Sequence, residues 1–358
     1  MHQATTNLTM QSVVAFLAVL VGVAVAVKPT PKPASSDDIK QKNREISSTE
    51  YLRKMLEKPS PKMFFSPIDV STRDDVLDML AILGLREASK IAEQVNMRQM
   101  LRDEQLASVT LCLPNDEAVQ KWKRELPDKL KPDQASLKQL VRAWVIPGTI
   151  RSTDVVNNQM VQSLNGAKLR FNVYNQVTKV VTVNGAKIVK ADIMASNGLV
   201  QVVDKVIYPL PVGNVVDTLD DNEAFSIVFD LLKHADLVDL AVSDPVTVLV
   251  PTNAAFYALP SGALSDLLRN MTKLRNILKN HVISDVRYSA SLSSGQRLRT
   301  SQGSEISVTI ENGKIILNKE RDQSKASQVI KADIPTTNGV IHVIDRVIIP
   351  SQEHYVLV

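Results

Sequence analysis

The residue types that usually carry catalysis or bind metals are few in this sequence and widely separated. Its 358 residues include five histidines and a single cysteine, Cys112, which lies in an apolar stretch, Val109–Pro114. No histidine or cysteine pair has the short spacing of a zinc or redox site, and no glycine-rich phosphate-binding pattern occurs. We therefore predict a protein that is not an enzyme and binds no cofactor and no metal, with Cys112 as a small core residue. The histidines are at positions 2, 234, 281, 342 and 354.

Two aspartates that could form a pair of acid–base carboxylates belong instead to two copies of one sequence. Lys190–Pro209, which contains Asp204, returns as Lys331–Pro350, which contains Asp345, at a constant offset of 141 residues. Further upstream the offset is 137 residues, as for the glycines at 166 and 303, and the extra residues fall in the polar run 319–325. We expect each carboxylate to accept hydrogen bonds from nearby backbone or hydroxyl groups.

The repeat is long enough to be a whole domain, so the sequence predicts two tandem domains. In each copy, apolar positions at helical spacing come first and lead to an apolar strand that ends in proline, Val109–Pro114 or Val246–Pro251. The later part of each copy contains Asn-Gly pairs, which favour tight β-hairpin turns. Helices followed by antiparallel strands predict an α+β fold class. The pairs begin at Asn165, Asn184, Asn197, Asn312 and Asn338.

The amino-terminal residues predict an export signal and a linker. Val13–Val27 is an unbroken apolar run of 15 residues, shorter than the roughly 20 residues that span a bilayer. Ala24-Val25-Ala26 fits a signal-peptidase site. We expect a cleaved signal peptide over residues 1–26, with a retained signal anchor as the alternative. Residues 27–69 then form a proline-rich linker and extension, and residues 351–358 form a short tail.

Three segments of the second copy resemble the signature motifs of fasciclin domains. They are Thr247–Phe256, His281-Val282 and Asn338–Pro350, and the first copy repeats the pattern less closely around Pro114. The resemblance covers residues 70–210 and 213–350, which we take as fasciclin-like domains 1 and 2. It implies that each domain is a wedge of β-sheet packed with α-helices. It also implies membership of a group of secreted or cell-surface adhesion and extracellular-matrix proteins.

The resemblance further implies two receptor-binding candidates. In the family, peptides around an Asp-Ile pair have been linked to integrin recognition, and this pair occurs as Asp192-Ile193 and as Asp333-Ile334. An exposed carboxylate could complete the coordination of a receptor's metal ion, and Pro335 is expected to hold that of Asp333 outward. The alternative is that isoleucine enters the core while aspartate caps the following turn.

Three further features indicate surface contacts or modification. His281 is the one residue that matches the family's tyrosine–histidine adhesion motif, and the alternative is a hydrogen-bonded packing residue. Lys121, Lys123 and Arg124 flank a tryptophan and could bind sulfated polysaccharide, although nearby acidic residues equally indicate an ordinary solvated helix face. Asn270 opens an Asn-Met-Thr glycosylation pattern, which predicts a glycoprotein.

Charge and composition argue against nucleic acid as a partner. The chain has 42 basic and 38 acidic residues, a net charge of +4, and 4% aromatic residues, too few for stacking platforms. We therefore expect a secreted, non-enzymatic protein of the extracellular space or matrix. It would mediate cell–matrix or cell–cell adhesion through a cell-surface receptor and matrix components. The alternative is an extracellular carrier of a lipid or another small apolar ligand.

Overall fold

A computed structural model of the chain describes residues 74–127, 131–175, 178–211, 213–243, 245–319 and 326–350. The predicted signal peptide, the linker and the tail lie outside these ranges. Within them the chain forms two successive α+β units, each a sheet packed with helices, as the tandem repeat predicts. None of the helices in these ranges combines the length and the apolar composition that a membrane span requires.

In the first unit, helices precede and follow the first strand, and the remaining strands come after them. The helix that follows β1 starts where the Asn115 side chain accepts a hydrogen bond from the Ala118 N–H at 2.8 Å, and the next helix starts in the same way at Asp133. The helices are α1 (Asp78–Ile82), α2 (Arg86–Gln94), α3 (Met97–Asp103), α4 (Asp116–Glu125) and α5 (Gln134–Ala143). The strands are β1 (Val109–Pro114), β2 (Val145–Pro147), β3 (Gln159–Gln162), β4 (Lys168–Asn175), β5 (Lys179–Val183), β6 (Ala186–Ala195) and β7 (Gly198–Val203).

The second unit repeats this order. Its first helix begins with a reciprocal capping box between Asn214 and Asp217. The helices are α6 (Val215–Asp220), α7 (Ser226–His234), α8 (Val238–Val242), α9 (Asn253–Tyr257), α10 (Ala263–Arg269) and α11 (Met271–Lys279). The strands are β8 (Val246–Pro251), β9 (Val282–Ile283), β10 (Arg297–Arg299), β11 (Glu305–Glu311), β12 (Lys314–Leu317), β13 (Ser327–Thr336) and β14 (Gly339–Ile344).

The described strands of each unit form one mixed sheet. The orders are β2-β1-β7-β6-β5-β4-β3 and β10-β11-β12-β13-β14-β8-β9. The Asn-Gly pairs lie at tight turns between antiparallel strands, as predicted. The sequence did not predict that the proline-ended strand pairs in parallel with the last strand: Leu111 of β1 lies opposite Val200 of β7, and Val248 of β8 opposite Ile341 of β14. This pairing places the last strand of each repeat beside the first strand of the same repeat.

Glycine is required where the last strand of each unit passes the proline-ended strand. A Cβ on Gly198 would lie 1.9 Å from the carbonyl oxygen of Val109, and one on Gly339 would lie 1.8 Å from that of Val246. Because both obstacles are backbone atoms, no side-chain movement can make room. The glycine of the Asn-Gly turn therefore also allows the parallel strands to approach.

Each unit has an apolar core between its sheet and its helices. Trp144 and Phe171 are fully buried in the first core, and Phe225 and Phe256 in the second. Cys112 is fully buried in the first core, and burial raises the pKa of its thiol to about 12. The thiol is therefore protonated and unreactive, and the prediction of a small core residue is confirmed.

The two units share an interface. Tyr288 of the second unit is fully buried and lies over the β5–β6 turn of the first, where a Cβ on Gly185 would stand 2.4 Å from the tyrosine ring. Arg170 Nη2 donates to the carbonyl of Thr337 at 2.7 Å, and the Tyr174 hydroxyl donates to the backbone of the second unit at 3.1 Å. A glycine and buried polar side chains therefore fit the two units to each other.

Candidate functional site

The two Asp-Ile pairs lie at equivalent bulges in β6 and β13. In each strand the pairing register with the following strand shifts just before the isoleucine, between residues 190 and 193 and between residues 331 and 334. At the bulge Asp192 has a φ of 58° and Asp333 a φ of 63°. Aspartate adopts this left-handed conformation more readily than most side chains do. The bulge therefore re-aims the aspartate side chain within an otherwise regular strand.

Each carboxylate accepts hydrogen bonds from a serine in the segment that follows β2 or β9. Asp192 accepts one from the backbone N–H of Ser152 at 2.7 Å and one from its hydroxyl at 2.6 Å. Asp333 accepts one from the backbone N–H of Ser289 at 2.6 Å and one from its hydroxyl. Burial favours a raised pKa for the Asp192 carboxyl, but the hydrogen bonds from Ser152 and Gln201 contribute to a net lowering of this pKa. An ionised carboxylate therefore anchors the same segment in each unit.

The backbone N–H of each aspartate is held as well, by a side chain of the following strand. The N–H of Asp192 donates to Gln201 Oε1 at 2.9 Å, and that of Asp333 donates to His342 Nδ1 at 3.2 Å. Because His342 Nδ1 accepts, its proton lies on Nε2. Gln201 Nε2 and His342 Nε2 each donate to the carbonyl of the residue two before the anchoring serine, at 3.1 Å and 2.7 Å. Glutamine and histidine thus form the same bridge, in which one side chain accepts from the aspartate N–H and donates to a backbone carbonyl.

The carboxylate of Asp333 has a further partner from the other unit. Lys205 Nζ lies 2.6 Å from Asp333 Oδ2, and the aspartate side chain is only 13% exposed. Burial favours a raised pKa for this carboxyl, but the positive charge of Lys205 contributes to lowering it. The expectation that Pro335 holds this carboxylate outward is therefore wrong: the bulge turns it toward Ser289 and Lys205. The geometry supports a structural role for both aspartates, but each carboxylate holds the upstream serine and not the turn that follows, and of the two isoleucines Ile334 is buried while Ile193 is half-buried. Receptor recognition stays a prediction.

His281 is a buried link between α11 and the chain after β14. Its Nδ1 donates to the carbonyl of Ile277 at 2.8 Å, and its Nε2 accepts from the N–H of Ile348 at 2.9 Å. Burial lowers the pKa of His281 to about 4, so the ring is neutral near pH 7. In the first unit Trp144 takes this place, and its Nε1 donates to the carbonyl of Ile207 at 2.9 Å. These contacts support the packing interpretation, and a receptor contact through His281 stays a prediction.

The carboxylates of Asp204 and Asp345 are held by backbone, as expected. Asp204 accepts from the N–H of Lys187 at 2.7 Å, and Asp345 accepts from the N–H of Gln328 at 2.7 Å. Each contact joins the last strand of a unit to the preceding one. Within the described ranges no group of three or more His, Cys, Asp or Glu side chains is placed to hold a metal ion.

The basic cluster on α4 is partly neutralised by acidic neighbours. Lys123 Nζ lies 2.6 Å from Glu87 Oε2, and Lys121 Nζ lies 3.9 Å from Glu125 Oε1. The Trp122 indole between them donates to the hydroxyl of a tyrosine of the same unit instead of facing a ligand. This arrangement supports the interpretation of an ordinary solvated helix face.

Asn270 lies exposed at the start of α11. Its Oδ1 accepts from the N–H of Lys273 at 3.0 Å and so caps the helix. The contact uses Oδ1 and leaves Nδ2, the atom to which a glycan is attached, outside the cap. Glycosylation at Asn270 is therefore compatible with the fold and stays a prediction.

Comparison with known proteins accounts for both repeats. The model of the family described as "Fasciclin domain" matches residues 83–209 and 223–350. These two ranges together make up more than half of the chain. The chain belongs to the fasciclin-domain family.

Relatives of these fasciclin domains come from animals and bacteria. The chain is 33% identical over 217 residues to pig transforming growth factor-beta-induced protein ig-h3, covering 60% of this chain and 30% of the relative. It is 27% identical over 291 residues to human periostin, covering 79% and 33%. It is 40% identical over 139 residues to Protein sll1483 of Synechocystis, covering 38% and 73%. The chain thus spans about a third of the length of the two animal relatives.

One solved structure with similarity to the chain is a FAS1 domain pair from the insect cell adhesion molecule fasciclin I. It covers 76% of this chain and 98% of its own, at 22% sequence identity and a TM-score of 0.37.

Sequence reasoning named the aspartates of the two fasciclin domains but missed the side chains that bind them. Ser152 and Ser289 are repeated at the upstream offset, and Gln201 and His342 stand at the same place in the downstream repeat. Repeated polar positions were therefore a usable signal. No such repeated position marked Lys205, because its partner, Asp333, lies in the other domain.

Proposed function

We propose that this chain is a secreted, non-enzymatic fasciclin-domain protein that mediates cell–matrix or cell–cell adhesion. The observation that carries the proposal is the match of two successive fasciclin domains, because the family resemblance implies adhesion and matrix proteins. The side chains that could do chemistry support binding over catalysis. The two bulge aspartates are held by serines, and His281 is neutral and tied to backbone at both ring nitrogens.

Within this function, a receptor of the integrin class would contact the Asp192-Ile193 bulge more readily than the Asp333-Ile334 bulge. Ile193 is half-buried and is followed by Met194, which is 44% exposed, whereas Ile334 is 2% exposed. The Asp333 carboxylate is also covered by Lys205 of the first domain. Recognition at Asp192 requires its carboxylate to exchange Ser152 for the receptor's metal ion.

Attachment of cells to the immobilised secreted chain tests the proposal. Adhesion predicts saturable attachment above an albumin-coated surface, reduced by a divalent-cation chelator. Attachment no greater than on albumin, together with a lipid that co-purifies with the protein in its mass spectrum, would favour the carrier alternative. Amino-terminal sequencing of the secreted protein should begin near Val27, and recovery of Met1 in a membrane fraction would contradict a cleaved signal.

A further inference from the structure

A groove lies between the two edge strands of the second fasciclin domain, β9 and β10. It has a volume of about 570 Å³ and is lined by Ile283–Asp285, Arg287 and Gln296–Thr300. The Ser301 N–H donates to the carbonyl of Val282 at 2.7 Å, which joins the two edges. The open ends of the sheet therefore form a defined depression.

Three arginines are among the residues that line this groove. Arg297 and Arg299 are exposed, and because Leu298 between them is buried, both side chains stand on the outer face of β10, about 7 Å apart along the strand. Arg287 lines the groove from the segment that follows β9. We call this site the arginine groove.

The acidic groups at the groove leave an excess of positive charge. Asp285 Oδ2 pairs with Arg287 Nη2 at 2.8 Å. Glu305 lies 3.4 Å from Arg297, but both side chains are more than half exposed, so solvent screens the pair. Two acidic side chains thus face three guanidinium groups, and the two arginines of β10 remain accessible to an anion.

The wall that carries Arg287 is fixed before any ligand arrives. The Arg287 N–H donates to Thr247 Oγ1 at 2.8 Å, and its carbonyl accepts from His342 Nε2 at 2.7 Å. The guanidinium carbon lies 5.9 Å from the centre of the Tyr174 ring of the first domain, within the range of a cation–π contact. Preorganised donors lose less freedom on binding.

The first domain shows that the fold does not need these charges. Arg297 pairs with Ser307 in the β10–β11 ladder, and Met160 pairs with Arg170 in the β3–β4 ladder, so both pairs are related by the upstream offset of 137 residues. By the same offset Gln162 stands where Arg299 stands, and an isoleucine replaces Arg287. The equivalent surface of the first domain therefore lacks all three arginines.

We propose that the arginine groove binds a segment of sulfated polysaccharide. Guanidinium groups present several donors in a fixed fork and suit oxyanions such as sulfate esters. The hydroxyl of Ser284 and the amide of Gln296 line the same groove and suit sugar hydroxyls. The described lining contains no aromatic side chain on which a nucleic-acid base could stack. The proposal rests on the extracellular location proposed above, and purified components keep its test separate from cell attachment.

Binding of a heparin-derived oligosaccharide to the full secreted chain, measured by calorimetry at physiological ionic strength, tests this assignment. The double variant Arg297→Gln with Arg299→Gln should bind roughly tenfold or more weakly, because charge-assisted hydrogen bonds are lost. Both side chains are exposed, so its melting temperature should stay that of the unchanged protein. The matched control, Lys121→Gln with Lys123→Gln, removes the same charge from α4 and should bind as the unchanged protein does.

Three results would overturn the proposal. The first is unchanged affinity in the arginine variant, and the second is an equal loss in the lysine control, which would indicate attraction by overall charge alone. The third is equally tight binding of a single-stranded oligonucleotide of matched charge, which would indicate a general polyanion site. Conversely, Met160→Arg with Gln162→Arg places two of the charges on the first domain and should strengthen binding.

Discussion

The two fasciclin domains keep the same polar framework and build it from different side chains. In both, a bulge aspartate anchors a serine, and a side chain of the last strand bridges the aspartate N–H to a carbonyl. The bridge is Gln201 in the first domain and His342 in the second. Where the first domain closes its core with Trp144, the second uses His281. The fold therefore specifies where a donor or acceptor must lie, and several side chains meet that requirement.

The domains differ where they meet each other and the solvent. Asp333 takes a lysine from the first domain, whereas the serine and glutamine partners of Asp192 lie in its own domain. Three arginines line the edge of the second sheet where the first has none. The polar framework is thus common to both domains, whereas the surfaces that face the other domain or the solvent differ between them.

The largest difference between the domains should appear on acidification. His281 has an ordinary pKa of 6.5 that burial lowers to about 4 in the folded state. The unfolded chain therefore binds a proton before the folded chain does, so stability is complete above pH 6.5 and is lost as the pH falls toward 4. We expect a loss of about 3 kcal/mol for the second domain across this window. Trp144 does not titrate, so the first domain should lose much less.

Urea unfolding at several pH values measures this difference in one protein. Both tryptophans of the chain, Trp122 and Trp144, lie in the first domain, so their fluorescence follows that domain, while circular dichroism follows both. The variant His281→Gln should flatten the pH dependence of the second transition. The carboxyls of Asp192 and Asp333 have pKa values lowered from 3.8, so their stabilisation is lost only at lower pH. Equal stability of the second domain at both ends of the window would contradict a neutral, buried His281.

The next largest effect is expected at the bulge aspartates. Asp333→Asn keeps one acceptor but places amide hydrogens toward Ser289 and Lys205, both of which donate. We expect a loss of about 2 kcal/mol, within the range for a broken hydrogen bond to a charged group. Asp192→Asn lacks the lysine partner and should cost about half as much. Thermal melts and cell attachment should be measured together for both variants.

The two interpretations of the aspartates predict opposite results. If they are structural caps, attachment should fall only as far as unfolding explains. Attachment that is abolished while the melting temperature stays unchanged would instead establish receptor recognition at the substituted aspartate.

Local sequence was sufficient for the turns and insufficient for the bulges. The Asn-Gly pairs and the backbone contacts of Asp204 and Asp345 followed from neighbouring residues. In contrast, strand alternation gives no sign that Asp192 and Asp333 adopt positive φ, because the register shift depends on pairing with the next strand. Lys205 and Tyr288 depend on how two complete domains pack, which the spacing within one copy does not encode.

A smaller effect should follow from removing the ion pair between the domains. Lys205 is 42% exposed, so Lys205→Met should destabilise the second domain by about 1 kcal/mol or less. Residues 213–350 produced alone should still unfold in one cooperative transition, because the second core is separate. Because this isolated segment lacks every contact with the first domain, its free energy of unfolding is the lowest value to which loss of the Lys205 contact could reduce that of the second domain. A broad, non-cooperative melt of this segment would mean that the two cores depend on each other.

The smallest effect on stability should come from the glycosylation site, where the domains again differ by one side chain. The helix cap at Asp133 in the first domain is replaced by Asn270 in the second, and each accepts from the N–H three residues later. Only the asparagine can carry a glycan.

Thr272→Ala removes the sequon at an exposed position and keeps the cap, so glycosidase treatment of the secreted variant should no longer shift its mass, with stability nearly unchanged. Asn270→Gln removes the glycan together with the cap and should cost about 1 kcal/mol. If the secreted, unchanged chain shows no glycosidase shift, the site is unused. If both variants lose equal stability, the glycan itself stabilises the helix, and Asn270 contributes through its glycan as well as through the cap that Asp133 provides in the first domain.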